Sequence, residues 1–91
     1  MATVGGDLAT LQDLHRKFVQ AANETASLRS SVDSSLHSAV WTGPNSEKFR
    51  AEWEGFKKTL NQIEAALNDG ATDVKNQHNN IALATGAHDH I

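Results

Sequence analysis

The sequence predicts an all-α protein: an antiparallel helix-turn-helix hairpin that dimerises into a four-helix bundle. Apolar residues recur at alternating steps of three and four along two long stretches, as they do on one side of a helix. The single proline, Pro44, follows Gly43 between those stretches and separates them. The chain has 91 residues and no cysteine, which predicts one small domain without disulfides.

The first helix is expected over about residues 7–40. Asp7 is a candidate N-cap, because its carboxylate can accept a hydrogen bond from a free backbone N–H. The apolar positions that follow form an a/d seam of about four heptads. Leu8, Ala22 and Leu36 widen this seam toward a bundle face. The large members of the seam are Leu11, Leu14, Phe18, Leu28 and Val32.

A turn is expected at residues 41–45. Gly43 can adopt backbone angles that are closed to other residues. Pro44 suits the first turn of a helix, because it has no N–H to lose there. Trp41 is costly to expose, so we expect its ring to cover the open end of the hairpin beside the turn.

The second helix is expected over about residues 46–82, followed by a flexible tail at 83–91. Gly70 and Gln77 interrupt its seam, so the helix is expected to end between about residues 70 and 82. This seam is the stronger of the two, because it carries three aromatic residues. Its large members are Phe49, Trp53, Phe56, Leu60, Ile63 and Leu67.

The predicted dimer follows from the shape of such a hairpin. Two helices of about thirty residues are each roughly 45 Å long, and a short break between them favours an antiparallel connection. Two thin rods cover each other along one side only, which leaves apolar side chains on both helices without cover. A second hairpin that completes a four-helix bundle would supply that cover.

The turn also carries a resemblance to a known family. Trp41-Thr42-Gly43 resembles the Trp-Xaa-Gly motif of the WXG family, which includes the early-secreted-antigen type of mycobacteria. Phe49 and Glu52-Trp53-Glu54 follow the motif much as in actinobacterial members, and the resemblance covers about residues 8–67. It implies a small secreted protein that is not an enzyme and that acts as an effector or a co-secreted partner. It also implies export of the folded dimer, without a cleaved signal peptide, by a type VII secretion system with a membrane-bound ATPase.

One departure from the family pattern concerns the partner. Family members carry an export element, Tyr-Xaa-Xaa-Xaa-Asp/Glu, after the second helix, and this chain contains no tyrosine. Either a partner supplies the element or a degenerate signal in the tail replaces it. We expect a heterodimer with another WXG-type protein, and a homodimer is the alternative.

The residues themselves predict no cofactor, metal site or catalysis. No phosphate-binding glycine loop, His-Glu-Xaa-Xaa-His motif or nucleophile elbow occurs in the sequence. His88-Asp89-His90 lies in the expected tail, where alternate residues do not form a preorganised metal pocket.

Other functions are weighed against charge and hydropathy. Eight Lys and Arg are interleaved with eleven Asp and Glu, which disfavours binding to nucleic acid. No apolar run approaches the ~20 residues that span a bilayer, and the start of the chain does not resemble a signal peptide. Two alternatives remain: an intracellular coiled-coil adaptor, and a membrane-active helical protein. The polar helix faces lack the basic enrichment that the second would need.

Overall fold

The computed structural model describes residues 6–87 and 90–91, and these residues form two long helices without a strand. Helix α1 spans Leu8–Ser38 and helix α2 spans Pro44–Thr85. The contacts between them pair later residues of α1 with earlier residues of α2. Arg29 pairs with Glu64, whereas Leu36 accepts a hydrogen bond from Arg50. The predicted antiparallel helical hairpin is therefore confirmed.

Helix α1 begins at the predicted cap. The Asp7 carboxylate accepts a hydrogen bond from the Thr10 backbone N–H at 3.2 Å. The helix ends at Ser38, two residues before the predicted boundary, because Ala39 is already extended with φ −74° and ψ 137°. Residues 39–43 thus form the connection, and five residues are enough for the chain to reverse direction between neighbouring helices.

Helix α2 starts earlier than predicted, at Pro44 rather than near residue 46. Gly43 precedes it with φ 113° and ψ 174°, a conformation in the region that favours glycine. The fixed φ of proline suits the first helical position, and the Glu47 N–H donates to the Gly43 carbonyl at 3.1 Å. Gly43 and Pro44 therefore set the end of the turn and the start of the helix together.

The C-terminal end of α2 also differs from the prediction, since the helix continues to Thr85. It passes through Gly70 without a break, and the Phe18 ring packs against that glycine. It ends where Gly86 adopts a left-handed conformation with φ 75°, and the Ala87 N–H donates to the Ala82 carbonyl at 2.8 Å. This is the usual glycine stop signal, and it lies four residues beyond the predicted end.

The segment after Gly86 contacts the helix again. The Asn79 side chain donates to the Ile91 carbonyl at 3.1 Å and accepts from the Ile91 N–H at 2.9 Å. Of the predicted flexible tail at 83–91, the first three residues are helical and Ile91 is held by Asn79. His88 and Asp89 lie outside the described residues.

The molecule is a single layer of two helices with a narrow core. Its extents are 63 × 25 × 13 Å. The buried apolar residues lie along the line between the helices, and most are small: Ala22, Trp53, Ala71, Val74 and Ala82. Neither helix, over its described length, is long and apolar enough to cross a membrane.

Candidate partner-binding face and turn

The residues that hold the hairpin together lie on one line of each helix. Ala22 on α1 and Trp53 on α2 mark the centres of these lines, because both are buried. Phe18 lies level with Gly70, and Asp33 lies level with Lys57. The helices are therefore in a fixed register, in which residues at the same height have numbers that add to about 89.

A second set of large apolar side chains lies to one side of this line. Leu14 and Leu28 on α1 are 39% and 54% exposed, and Phe56 and Ile63 on α2 are 51% and 44% exposed. At about 100° per residue, all four are rotated from the contact line in the same sense. In an antiparallel pair, that rotation places them on the same side of the hairpin.

We call this side the apolar face. It comprises the exposed large residues and the smaller residues between them on both helices. Between Leu14 and Val32 on α1 its one charged residue is Lys17, and between Phe56 and Gly70 on α2 it has none. A surface of this kind on an isolated chain marks a site of association. Its members on the two helices are Leu14, Lys17, Ala21, Thr25, Leu28, Val32, Phe56, Thr59, Ile63 and Ala66.

The opposite side of the hairpin is polar and is crossed by ion pairs. Arg29 pairs with Glu64 between the helices, and the Lys57 ammonium lies 3.0 Å from Asp33 and 3.1 Å from Glu54. A shallow groove runs along this side, lined by charged and polar residues: Arg29, Ser30, Asp33, Glu54, Lys57, Lys58 and Asn61. The two sides of one thin layer therefore differ sharply in polarity.

Asp33 is the centre of the polar contacts. Its carboxylate accepts from the Lys57 ammonium and, at 3.1 Å, from the Trp53 indole N–H. Both hydrogen bonds lower the pKa of Asp33 from its usual 3.8, and the bond from Lys57 has the larger effect. Bonds to Asp33 and then to Glu54 raise the pKa of Lys57 from 10.5. The charged forms of both groups thus favour the closed hairpin.

The turn is organised around Trp41. Its ring centroid lies 5.8 Å from that of Phe49 in a tilted arrangement, and the Arg50 guanidinium lies 5.8 Å from the same ring. The Trp41 side chain is nevertheless 41% exposed, and its neighbour Val40 is 99% exposed. The turn therefore presents a fixed aromatic surface to solvent at one end of the rod.

Ser46 and Arg50 tie this turn to both helices. The buried Ser46 hydroxyl donates to the Trp41 carbonyl at 2.8 Å and accepts from the Arg50 Nε at 3.0 Å. The Arg50 guanidinium also donates to the Leu36 carbonyl at 2.6 Å, near the end of α1. One arginine thus satisfies a terminal helix carbonyl and places its positive charge over the tryptophan ring at the same time.

The opposite end of the hairpin holds a buried histidine. His78 is fully buried, and its Nδ1 lies 3.1 Å from the Asn79 side-chain oxygen. The Asn79 amide nitrogen is already committed to Ile91, so the oxygen accepts and His78 Nδ1 donates. Its Nε2 has no hydrogen-bond partner among the described residues.

The residues predicted for the seams fall into two groups in the structure. One group lies in the contact line between the helices. In this group Trp53 is buried, and the others are partly buried: Leu11, Phe18, Phe49, Leu60 and Leu67. Leu14, Leu28, Phe56 and Ile63 lie on the apolar face, with the partly buried Val32 at its edge. Trp41 and Gly43 are at the turn, as the motif predicts.

Several residues that shape the site were not predicted. Asp33, Lys57, Ser46 and Arg50 act across the two helices or across the turn, and heptad spacing contains no information about such contacts. The sequence carries no local signal for Asp33, because its contacts with Trp53 and Lys57 depend on the register between the helices. Among the described residues, no cluster of three His, Asp or Glu could hold a metal ion.

Comparisons with known proteins identify no relative. No family model matches the chain, and neither a curated protein nor a solved structure matches it.

Proposed function

We propose that the chain is a non-enzymatic subunit of a secreted helical dimer, exported by a type VII secretion system as an effector or co-secreted partner. The observation that carries the proposal is the apolar face of the hairpin. Four large apolar side chains on this face are more than a third exposed. Burial of such side chains stabilises a complex by about 25 cal/mol for each Å² removed from water.

The total surface of the chain also supports a partner. The chain exposes 6470 Å², whereas a compact monomer of 9.8 kDa is expected to expose about 5,200 Å². The excess on this one chain is larger than the ~800 Å² that each partner contributes to a standard protein interface. A second helical hairpin against the apolar face would form a four-helix bundle and remove this excess.

The turn supports the choice of family. The Trp41-Thr42-Gly43 motif lies at the connection between two long helices, the place that the WXG resemblance requires. Val40 and Trp41 are exposed there, and Arg50 with Phe49 holds the indole in place. We infer that this end of the dimer is the part that the secretion ATPase binds.

Pairing is tested by sedimentation of the purified chain, alone and after co-expression with a small helical protein from its native host. We expect a complex of two hairpins in at least one of these samples. A compact, fully helical monomer in both samples would contradict the proposal.

Export is tested with Trp41→Ala in a strain that carries a type VII system. We expect the variant to pair normally but to be lost from the culture supernatant, because the exposed indole is removed while the apolar face is unchanged. Val19→Ala is the control, since Val19 is an exposed apolar residue of α1 that lies away from the turn and from the apolar face. It should be exported normally.

Two other outcomes would redirect the function. A chain that pairs but never leaves intact cells would indicate an intracellular adaptor. Leakage from liposomes caused by the purified dimer would indicate a membrane-active protein, and in that case the apolar face would contact lipid.

A further inference from the structure

We propose that His78 makes the open end of the hairpin sensitive to acid: the end is closed while the ring is neutral, and protonation of the ring opens it and releases Ile91. The open end is where α1 begins and α2 ends, opposite the turn. The inference is independent of the proposed function, because it involves neither the apolar face nor the Trp41 motif.

His78 lies in the contact line of α2, where it is fully buried. In the register between the helices, residues at the same height have numbers that add to about 89, so His78 is level with Leu11. Leu11 is itself half-buried, and it begins the second turn of α1 after the Asp7 cap. The imidazole is therefore part of the packing that joins the two helices at this end.

The two ring nitrogens of His78 have different surroundings. Nδ1 lies 3.1 Å from the Asn79 side-chain oxygen, which also accepts from the Ile91 N–H at 2.9 Å. Because that oxygen can only accept, Nδ1 carries the proton of the neutral ring and Nε2 is left as an acceptor. Nε2 is buried and has no hydrogen-bond partner among the described residues. One asparagine oxygen thus connects the neutral ring with the segment after Gly86.

A second proton on the ring would go to Nε2. It would place a charged N–H in an enclosed site that offers it no acceptor, and burial of an unpaired charge is costly. The charged ring is therefore favoured only where water reaches Nε2, which requires the helices to separate at this end. When the ring moves into water, the Asn79 oxygen loses its bond from Nδ1, and the pairing of Asn79 with Ile91 is no longer supported.

The charged and titratable groups on the elements around His78 do not compensate a charge on the ring. They are Asp7, Asp13, His15 and Arg16 on α1, Asp73 and Lys75 on α2, and His90 after it. All except His15 are exposed, and within the part of the chain that the structure describes none forms an ion pair or hydrogen bond with His78. His15 is half-buried one turn from Leu11, so its own protonation would add like charge and act in the same direction.

The packing at this end is weak enough for one proton to shift it. The buried apolar residues of α2 beyond Gly70 are Ala71, Val74 and Ala82, and all three are small. Segments with few large buried side chains open locally at a lower cost in free energy than the whole molecule. Local opening around His78 is therefore the event that proton uptake should promote.

Hydrogen exchange of the purified chain tests the inference. An exposed histidine takes up its proton near pH 6.5, so the open fraction should rise about tenfold between about pH 7.5 and about pH 5.5. After correction for the chemical rate, the amides of residues 79–87 should exchange faster by that factor. The amides around Trp53, 25 residues earlier in α2 and roughly 37 Å away, should not change.

Two substitutions remove the titrating group in different ways. His78→Gln keeps a polar side chain, and His78→Phe keeps a ring of similar size. In each variant that retains the native helix content by circular dichroism, exchange at residues 79–87 should be the same at both pH values. His37→Gln is the matched control, because His37 is an exposed histidine near the turn, and it should keep the tenfold response.

The native chain also gives a reading that needs no variant. Long-range proton–nitrogen NMR spectra identify which ring nitrogen carries the proton. We expect His78 to be protonated on Nδ1 at about pH 7.5, and its charged form to appear at lower pH together with the loss of protection at residues 79–87. A proton on Nε2 at the higher pH, or a charged ring in an end that stays closed, would overturn the inference.

The remaining outcomes separate this inference from the proposed function. A native response of less than about twofold would overturn it, as would a response that His15→Gln abolishes and a folded His78 variant keeps. Neither result concerns pairing or export. A chain that remains a monomer would contradict the proposed function and leave the acid sensitivity of the open end unchanged.

Discussion

Trp53 is the largest residue in the contact between the helices, and its polar edge decides how it is held. The ring is 7% exposed, and its N–H donates to Asp33, which Lys57 also contacts. A buried indole with an unpaired N–H would be costly, so Asp33 completes the packing of Trp53. Apolar spacing predicted the ring position, and the acid that it needs could be recognised only once the register between the helices was known.

Asp33 makes the stability of the hairpin dependent on pH. Because its pKa is lower in the folded state than the ordinary 3.8, its contribution is present above that pH and is lost as the pH falls through the folded value. We expect Asp33→Asn to be less stable than the native chain at pH 7, and the difference to shrink below about pH 4. Urea unfolding at both pH values measures it, and a difference that does not change with pH would contradict this role.

Two glycines inside α2 should respond differently to the same substitution. A Cβ at Gly55 would meet no atom within 4 Å, so we expect Gly55→Ala to stabilise the helix by about 0.5–1 kcal/mol. A Cβ at Gly70 would lie 3.2 Å from the Phe18 ring, so Gly70→Ala should gain less or lose stability. Thermal unfolding compares the two, and equal gains would show that Phe18 does not pack tightly on Gly70.

At the scale of the elements, the ends of the helices show where local sequence suffices. Asp7 was recognised as a cap because its hydrogen bond is made within one turn. Gly86 acts in the same local way, but the interruptions at Gly70 and Gln77 suggested an earlier end. The helix continues through Gly70 because α1 packs against it, and this support comes from outside the local sequence.

Arg50 connects three groups at the turn. Arg50 contacts the Leu36 carbonyl, the Ser46 hydroxyl and the Trp41 ring, and a lysine cannot make all three contacts with one ammonium group. We expect Arg50→Lys to lower the free energy of unfolding by about 1–2 kcal/mol. Urea denaturation measures this loss.

The control for that substitution is Lys48→Arg, on an exposed position of the same helical turn. It should change stability little. If Arg50→Lys is as stable as this control, then the hydrogen bonds of Arg50 and its contact with the Trp41 ring add no stability beyond that of a positive charge at this position.

At the scale of the whole molecule, the sequence predicted the hairpin but not its two faces. The a/d positions combined residues that hold the helices together with residues of the apolar face. Periodicity alone cannot separate them, because both groups lie within one wide apolar stripe. The rotation of each helix is fixed by contacts such as that of Phe18 with Gly70, which depend on both helices at once.

A chain that is stabilised by a partner should melt at a temperature that depends on its concentration. For a hundredfold increase we expect the midpoint to rise by roughly 5–10 °C, because association favours the folded state by mass action. Phe56→Ser should reduce this dependence, since Phe56 is a half-exposed aromatic residue of the apolar face. Calorimetry over a range of concentrations measures the effect.

Val19→Ser is the matched control for that experiment, because Val19 is an exposed apolar residue of α1 that lies away from the apolar face. It should keep the concentration dependence of the native chain. A midpoint that is constant for the native chain alone would contradict pairing of the chain with itself through this surface.

The two indoles give the protein a built-in pair of optical reporters. The chain has no tyrosine, so its ultraviolet emission comes from Trp41 and Trp53. The first is partly open to water at the turn, and the second is enclosed between the helices beside a carboxylate. A soluble quencher should therefore reduce the fluorescence of Trp41 more than that of Trp53. Binding at the turn would change mainly the fluorescence of Trp41, and separation of the two helices would change mainly that of Trp53. The two events can therefore be followed separately without an attached dye.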